Sequence, residues 1–297
     1  MEFGRISWDE ISEVEFKLPV IHSLLTPTTN SNLNIGAAIW SEEKFRGSIY
    51  PVDSTKKDFL QLYAAQFNTV EVNSTFYALP DLALIKRWIF EARVTNPQFK
   101  FCPKIPKSVS HEGRLDSHFE MMPRIYSVLE TFEDNLGMTF LQLSDNFSPA
   151  NISVLFNFLD GWPKAFKLGL ELRNAMWFRA GPVQDKLMEC LLKNNISWVI
   201  TDTPGRQEVL HQNFTARHLM IRFTANTFHP KDQVRLQAWA KSFETYAQYG
   251  INEVYFLLHE EVESAFLTPL IDLANLTNLK VPVDYSLPTT NSQLSLF

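Results

Sequence analysis

A helical pattern passes directly into a strand-like run in the stretch Lys56-Lys-Asp-Phe-Leu-Gln-Leu-Tyr-Ala-Ala-Gln-Phe-Asn-Thr-Val-Glu-Val-Asn73. Its apolar residues first recur at the three- and four-residue spacing of an amphipathic helix, and Thr69–Asn73 then has the β-branched character of a strand. Residues 183–192 form a second helical pattern of this kind between two further strand-like runs. Because helices and strands alternate along the chain, the sequence predicts a parallel sheet.

Short β-rich runs at fairly even intervals are the candidate strands. There are eight of them: Asn34–Ile39, Thr69–Asn73, Phe99–Lys104, Met138–Leu143, Lys167–Leu172, Ser197–Thr201, Leu219–Phe223 and Glu253–Leu258. A chain of 297 residues suits one (β/α)8 barrel of roughly 250 residues with short arms. The link over residues 204–217 lacks an apolar helical face, so one helix of the eight is expected to be a loop.

The predicted fold is therefore α/β, a single-domain TIM barrel over residues 34–280. An N-terminal arm over residues 1–33 and a flexible tail over residues 281–297 complete the predicted organisation. The competing fold is a doubly wound open sheet. It is disfavoured because only 10 glycines occur and none has the GxGxxG spacing of a dinucleotide-binding turn.

Charge and composition exclude several classes of protein. A net charge of −6 argues against a chain that coats nucleic acid with its whole surface, although a local basic cleft stays compatible with it. The two cysteines suggest neither a disulfide framework nor a cysteine metal site. No apolar run approaches the roughly 20 residues of a membrane span, so we expect a cytoplasmic protein with no membrane partner.

The ends of the candidate strands are unusually polar. In chain order they carry Trp40, Glu71, Asn73, Lys104, Gln142, Glu171, Arg173, Asp202, Arg222 and His259. Residues two apart share a strand face, which places Glu71 with Asn73 and Glu171 with Arg173. Loops at the carboxyl ends of barrel strands build the active site in nearly every enzyme of this fold, so we expect these side chains to converge. Solvated loop starts and structural ion pairs are the competing interpretation.

Positive charge in this region predicts a bound anion such as phosphate or carboxylate. The cations are Lys104, Lys107, Arg114, Arg173 and Arg222. The candidate catalytic residues are Glu71, Lys104, His111, Glu171 and Asp202, because carboxylates, amines and imidazoles can transfer protons. The candidate ligand-binding residues are Trp40, Asn73, Tyr77, Arg114, Gln142, Arg173, Trp177 and Arg222. The histidines form no HxH or HExxH motif, so no dedicated metal site or cofactor is predicted, and a loosely held divalent cation stays open.

Four segments resemble the YecE-like family, also called domain of unknown function 72. They are Phe67-Asn-Thr-Val-Glu-Val-Asn-Ser-Thr-Phe-Tyr77, Phe101-Cys-Pro-Lys-Ile-Pro-Lys-Ser-Val-Ser-His111, Glu171-Leu-Arg-Asn-Ala-Met-Trp177 and Asp202-Thr-Pro204. The resemblance implies a TIM barrel with no settled reaction, over residues 34–276. It supports a cluster at the mouth of that barrel made of Glu71, Asn73, Tyr77, Lys104, His111, Arg114, Glu171, Arg173, Trp177 and Asp202.

Four stretches depart from the family pattern, one of them around Leu258-His259, where the late asparagine pair is replaced. Gly36-Ala-Ala-Ile-Trp40 stands where the family has Gly-Thr-Ser-Gly-Trp, Gln142-Leu-Ser-Asp-Asn-Phe147 replaces Gln-Leu-Pro-Pro-Ser-Phe, and Arg222-Phe-Thr-Ala225 replaces Arg-x-His-Gly. These changes remove small and polar groups from the predicted mouth and indicate a diverged member of the family.

The final residues Gln293, Leu294, Ser295, Leu296 and Phe297 resemble the short peptide with which bacterial replication and repair proteins bind the sliding clamp. The resemblance predicts a clamp partner, with the apolar side chains in a groove and the glutamine hydrogen-bonded. A tail that folds back onto the domain is the competing interpretation.

Three functional hypotheses follow. The first is an enzyme acting on a phosphate-bearing substrate such as a nucleic-acid intermediate or end, for example a phosphodiester hydrolase for DNA repair, recruited by the clamp. The second is a non-catalytic adaptor recruited in the same way. The third is an enzyme of sugars or sugar phosphates unrelated to DNA.

Overall fold

The fold is a mixed α/β domain, seen in a computed structural model that describes residues 4, 6–47, 49–112, 115, 120–226 and 229–259. The strands are β1 (His22–Ser23), β2 (Asn32–Ala37), β3 (Thr69–Val72), β4 (Lys100–Pro103), β5 (Thr139–Gln142), β6 (Leu168–Glu171), β7 (Ser197–Trp198), β8 (Ile200–Asp202), β9 (Asn213–Phe214), β10 (His218–Thr224) and β11 (Glu253–His259). The helices are α1 (Trp8–Glu13), α2 (Phe59–Ala64), α3 (Ser74–Tyr77), α4 (Leu82–Arg93), α5 (Lys107–Ser110), α6 (Met122–Thr131), α7 (Ile152–Asp160), α8 (Pro182–Asn194) and α9 (Pro230–Phe243).

Each of the eight β-rich runs of the sequence forms a strand, which confirms that part of the prediction. The sixth run is broken at Val199 into β7 and β8. The link after β8 has no α-helix and instead contains a 3-10 turn at Gln207–Val209 followed by β9, as its lack of an apolar face predicts.

Among the described residues the strand ladders form four sheets, and every pair of strands in them is parallel. Their orders are β1-β9, β2-β11-β10-β8, β3-β4 and β5-β6-β7. An isolated parallel bridge between Lys104 and Phe140 links the ends of the β3-β4 and β5-β6-β7 sheets. The ladders of the described residues thus do not close into the single eight-stranded barrel that the sequence predicts. They show an α/β fold with parallel sheets.

Amphipathic helices cover the sheets. Helix α4 begins where the Asp81 side chain accepts a hydrogen bond from Leu84 N at 2.7 Å, and it buries Ile85, Trp88, Ile89 and Ala92 on one face. This spacing is that of a helix packing one stripe against a core. None of the helices in the described part of the chain is long and apolar enough to cross a membrane.

The segment before β2 packs along the domain. Helix α1 starts with a capping box between Ser7 and Glu10 and buries Ile11. Ser12 Oγ lies 3.1 Å from His229 Nε2, and β1 pairs with β9. The arm therefore covers the chain that follows β8 and β10.

Candidate functional site

Arg222 joins two carboxylates, and the three residues belong to three different sheets. From β10 its Nε and one terminal nitrogen donate to the two oxygens of Glu71, on β3, at 3.0 and 2.9 Å. Its other terminal nitrogen donates to Glu171, on β6, at 2.6 Å. Both carboxylates have no exposed surface. A bidentate pair and a second charge-assisted bond hold these three strand ends in one geometry.

Polar side chains extend this arrangement on the Glu171 side. The Gln142 amide nitrogen donates to both Glu171 oxygens, at 2.9 and 2.8 Å, and its oxygen accepts from Lys104 Nζ at 3.0 Å. Arg173 Nε also donates to Glu171 at 3.0 Å. On the other side His259 Nε2 lies 2.9 Å from a Glu71 oxygen. We call these seven residues the Arg222 network: Glu71, Lys104, Gln142, Glu171, Arg173, Arg222 and His259.

Two aromatic rings line the network. The Phe140 ring centroid lies 5.1 Å from the Arg222 guanidinium carbon, and the Phe76 ring centroid lies 4.2 Å from Lys104 Nζ. The sequence prediction missed Phe140. Its position two residues before Gln142 on β5 was the available signal, because residues two apart share a strand face.

Ion pairing keeps both buried carboxylates charged. Burial acts to raise the pKa of Glu171, but Arg222 and Arg173 outweigh it and lower the pKa to about 2. Burial likewise opposes ionisation of Glu71, yet Arg222 and His259 hold its pKa well below the ordinary value. A general base works best with a pKa near the operating pH. These carboxylates are therefore suited to holding Arg222 rather than to moving protons near neutral pH.

The pKa values of the nitrogen bases in the region are also lowered, which for a base favours the neutral form. Burial and the neighbouring Arg222 lower the pKa of Lys104 to about 8. Burial followed by the charges of Lys104 and Arg173 lowers the pKa of His111. Burial also lowers the pKa of His259 despite the Glu71 carboxylate beside it. An ionised carboxylate can only accept, so neutral His259 carries its proton on Nε2 and donates to Glu71.

The Arg222 network carries an excess of positive charge. Lys104, Arg173 and Arg222 are cations and Glu71 and Glu171 are anions, so with His259 neutral the sum is one positive charge. Such an excess in a buried setting attracts an anion.

The remaining predicted site residues differ in exposure and in the groups that they contact. His111 and Tyr77 are exposed, and the Phe76 ring packs edge-on against both. Asn73 is half-buried and donates to the Ala38 carbonyl at 3.3 Å. Trp40 packs edge-on against Trp88 of α4 and accepts from the Tyr50 hydroxyl through its carbonyl. Arg114 and Gln293–Phe297 lie outside the described residues.

Two predicted mouth residues face elsewhere. Asp202 is fully buried and accepts from Arg235 and from Trp239 Nε1, each at 2.7 Å, so its carboxylate faces α9. Trp177 is also fully buried and donates to the Phe147 carbonyl at 2.8 Å. Both placements correct the expectation that these side chains join the mouth cluster: an arginine and an apolar core already surround them.

No metal site emerges among the described residues. They contain no group of three or more histidine, cysteine, aspartate or glutamate side chains arranged to hold an ion. The network carboxylates are occupied by Arg222, Gln142, Arg173 and His259.

Acid should weaken the fold through this network. A carboxylate with a folded pKa below its unfolded value stabilises the protein above the unfolded pKa, and that contribution is lost as the pH falls through the folded pKa. Glu171 has a pKa of about 2 against an ordinary 4.5. We therefore expect its protonation to lower the free energy of unfolding by on the order of 3 kcal/mol between about pH 5 and pH 2.

Urea unfolding of the Glu171→Gln variant across this pH range provides the check. Its stability should fall less steeply with acidification than that of the exposed control Glu189→Gln. Equal slopes for the two variants would contradict the assignment.

The fold and site define a class: a mixed α/β protein whose parallel strand ends gather a buried, net-cationic ion network. A family model described as "Protein of unknown function DUF72" matches residues 34–290. The chain therefore belongs to the DUF72 family, which confirms the YecE-like resemblance.

Curated relatives and solved structures are consistent with this membership. The chain is 27% identical over 218 residues to UPF0759 protein YecE of Escherichia coli K12, which covers 67% of this chain and 78% of the relative. A DUF72 family protein from Thermotoga maritima MSB8 gives a TM-score of 0.65 at 22% identity, covering 82% of this chain and 98% of that structure. One from Enterococcus faecalis V583 gives 0.64 at 16% identity, covering 84% and 99%. The similarity to these two structures shows the fold alone.

Proposed function

We propose that this protein binds a phosphate-bearing ligand at the Arg222 network. The observation that carries the proposal is the excess of cations over carboxylates in a buried cluster of an acidic chain. Arginine and lysine together suit phosphate, since arginine offers a planar fork of donors and lysine a mobile point charge.

We also propose that the four sheets are arcs of one (β/α)8 barrel, with the Arg222 network at its carboxyl-end mouth. The network supports this arrangement because Glu71, Glu171 and Arg222 belong to three different sheets and still meet at hydrogen-bond distance. Each of the three lies at the carboxyl end of its strand or near it. Ligand sites of such barrels form at that end.

Within the network, Lys104 is the cation best placed to meet the ligand. Both arginines donate to carboxylates, whereas Lys104 donates to the neutral oxygen of Gln142. An incoming phosphate would therefore gain a charge-assisted bond from Lys104 without displacing a carboxylate from it.

Replacing Lys104 tests the proposal. We expect Lys104→Met to weaken the binding of inorganic phosphate about tenfold or more, because a charge-assisted hydrogen bond is worth roughly 1.5–3 kcal/mol. Isothermal titration calorimetry of the wild type and the variant gives the comparison, and the exposed Lys193→Met is the matched control. Unchanged affinity in Lys104→Met, or no phosphate binding by the wild type, would reject the site.

A clamp tether is a second proposal, and the segment Gln293–Phe297 supports it. The segment lies beyond residue 290, where the family match ends, so it is a feature of this chain rather than of the matched region. A tether raises the local concentration of a weak binder, which suits an acidic protein acting near nucleic acid. The same tether serves an enzyme or an adaptor.

Deletion of Gln293–Phe297 is expected to abolish binding to a purified bacterial sliding clamp while leaving phosphate affinity unchanged. Surface plasmon resonance with an immobilised clamp measures the first quantity, and Ser295→Ala is a control that keeps the apolar anchors. Equal clamp binding by the full chain and the deletion variant would refute the tether.

A further inference from the structure

We propose that the Lys104 amine condenses with the carbonyl group of a phosphate-bearing aldehyde or ketone to form an imine. This inference rests on the proposed phosphate site and names its substrate class, within the third functional hypothesis. Protonated Lys104 meets inorganic phosphate, whereas the neutral amine attacks the carbonyl carbon of a substrate whose phosphate group lies beside Arg173 and Arg222.

Backbone contacts fix Lys104 at the strand edge. Its backbone N–H donates to the Val72 carbonyl at 3.3 Å, and its own carbonyl accepts from the Thr75 hydroxyl at 2.7 Å. The residue is 9% exposed, so its side chain is largely shielded from water. Because its backbone is fixed, the Lys104 amine can attack a bound carbonyl group from a reproducible direction.

Gln142 leaves the Lys104 amine without a directly bonded carboxylate in the described structure. Because both Glu171 oxygens accept from the Gln142 amide nitrogen, the amide oxygen is turned toward Lys104. The described ion pairs of Glu171 involve Arg173 and Arg222 instead. A lysine bonded to a neutral acceptor and placed near other cations gives up its proton more readily than one in a salt bridge.

The neutral amine is accordingly more available than in an ordinary lysine. Burial and Arg222 lower the Lys104 pKa to about 8 from 10.5, which raises the unprotonated fraction near pH 7 by about two orders of magnitude. Buried lysines with such values are the ones that serve as Schiff-base nucleophiles.

His111 can move the protons of the reaction. The Ser110 hydroxyl donates to the Pro106 carbonyl, so the 2.8 Å contact between Ser110 Oγ and His111 Nδ1 places the proton on Nδ1. The second ring nitrogen, Nε2, is then a proton acceptor. The Phe76 ring contacts both Lys104 Nζ, at 4.2 Å, and the His111 ring, edge-on at 5.2 Å, which brings the two nitrogen bases to one aromatic side chain.

The reaction balances with water as its only by-product. The neutral Lys104 nitrogen attacks the carbonyl carbon, a C–N bond forms, the carbonyl π electrons move to oxygen, and one N–H proton passes from nitrogen to that oxygen to give a carbinolamine. The carbinolamine hydroxyl then takes a second proton and leaves as water, the nitrogen lone pair forms the C=N bond, and the remaining N–H proton is given up to replace the one that was taken. His111 accepts and returns these protons.

Borohydride trapping tests the inference on the wild-type chain. The protein is incubated with dihydroxyacetone phosphate and sodium borohydride, and each lysine is examined by peptide mass spectrometry for the reduced adduct. We expect labelling of Lys104 about tenfold or more above that of exposed Lys193, whose pKa its bond to Asp160 raises. Dihydroxyacetone without phosphate should label Lys104 less, and excess inorganic phosphate should suppress the labelling.

Two variants control for reactivity and folding. Lys104→Arg keeps the charge and should lose only the Lys104 adduct, whereas Lys193→Arg should leave Lys104 labelling unchanged. If Lys193 is labelled as strongly as Lys104 or more strongly, then labelling follows exposure and the imine proposal is overturned. Phosphate binding measured by calorimetry would in that case still support the anion site. Lys104 labelling that neither phosphate nor the phosphate group of the probe affects upholds the amine nucleophile and overturns the phosphate-bearing substrate class.

Discussion

Arg222→Met is expected to lower the free energy of unfolding by about 3–5 kcal/mol, because it removes the guanidinium that pairs with two buried carboxylates. Glu71 and Glu171 have no exposed surface, and Arg222 donates three of its hydrogen bonds to them. Removing one partner of a buried ion pair leaves a charge without compensation, which costs far more than the net value of the pair. Urea unfolding at pH 7 measures the loss.

The pH dependence of the Arg222→Met variant gives a second signature. Without the guanidinium, burial raises the pKa of both carboxylates, so their protonation stabilises the folded variant as the pH falls. The deficit relative to the wild type should therefore shrink toward pH 4.

Matched variants separate this effect from general disturbance. Exposed Arg124→Met should change stability by less than about 0.5 kcal/mol, and adding Glu71→Gln to Arg222→Met should recover part of the loss. A loss below about 1 kcal/mol in Arg222→Met would contradict the buried-pair assignment.

The positions of the strands follow from the sequence because each run is short, apolar and bounded by polar residues. The run predicted at Thr69–Asn73 is β3 at Thr69–Val72, and that at Glu253–Leu258 is β11 at Glu253–His259. How the strands join into sheets depends on pairing between residues far apart in the chain, which a local pattern does not record. The closed barrel accordingly stays a proposal.

Part of the Arg222 network can be predicted from the two-residue period of strands. That period places Glu171 beside Arg173, and the two are 3.0 Å apart. It fails at Asp202, where the continuous apolar run Trp198–Ile200 hides which face points inward. Arg235, which accounts for the orientation of Asp202, lies 33 residues further along on a helix, and no local signal connects the two.

Gly36→Ala is expected to destabilise the fold by about 3 kcal/mol or more, since β2 and β3 approach each other too closely at this point for any side chain. A Cβ atom on Gly36 would lie 1.9 Å from the Thr69 carbonyl oxygen and 2.9 Å from the Tyr63 hydroxyl. The first of these is a backbone atom, so a rotamer change does not relieve the clash. The resemblance to the family supports this reading, because the first glycine of the family's opening pattern is kept here while its next three residues differ.

The Tyr63 hydroxyl occupies the space that a side chain at Gly36 would take. This hydroxyl donates to the Thr69 carbonyl at 3.1 Å and accepts from Ala37 N at 2.6 Å, bridging β2 to β3. Tyr63→Phe in the Gly36→Ala background should not restore stability, because the Thr69 clash persists. Gly161→Ala is the matched control: its nearest new contact is 3.4 Å, and we expect a change within about 1 kcal/mol.

The consequences of Gly36→Ala should reach the Arg222 network. Glu71 follows Thr69 by two residues on β3, so a shift of β3 that relieves the clash also moves the carboxylate away from Arg222. Phosphate affinity, measured on whatever folded fraction remains, should therefore fall together with stability in Gly36→Ala and stay constant in Gly161→Ala. If Gly36→Ala loses stability and keeps full phosphate affinity, then the ligand does not depend on the placement of Glu71, and the anion site must rest on Lys104 and Arg173 alone.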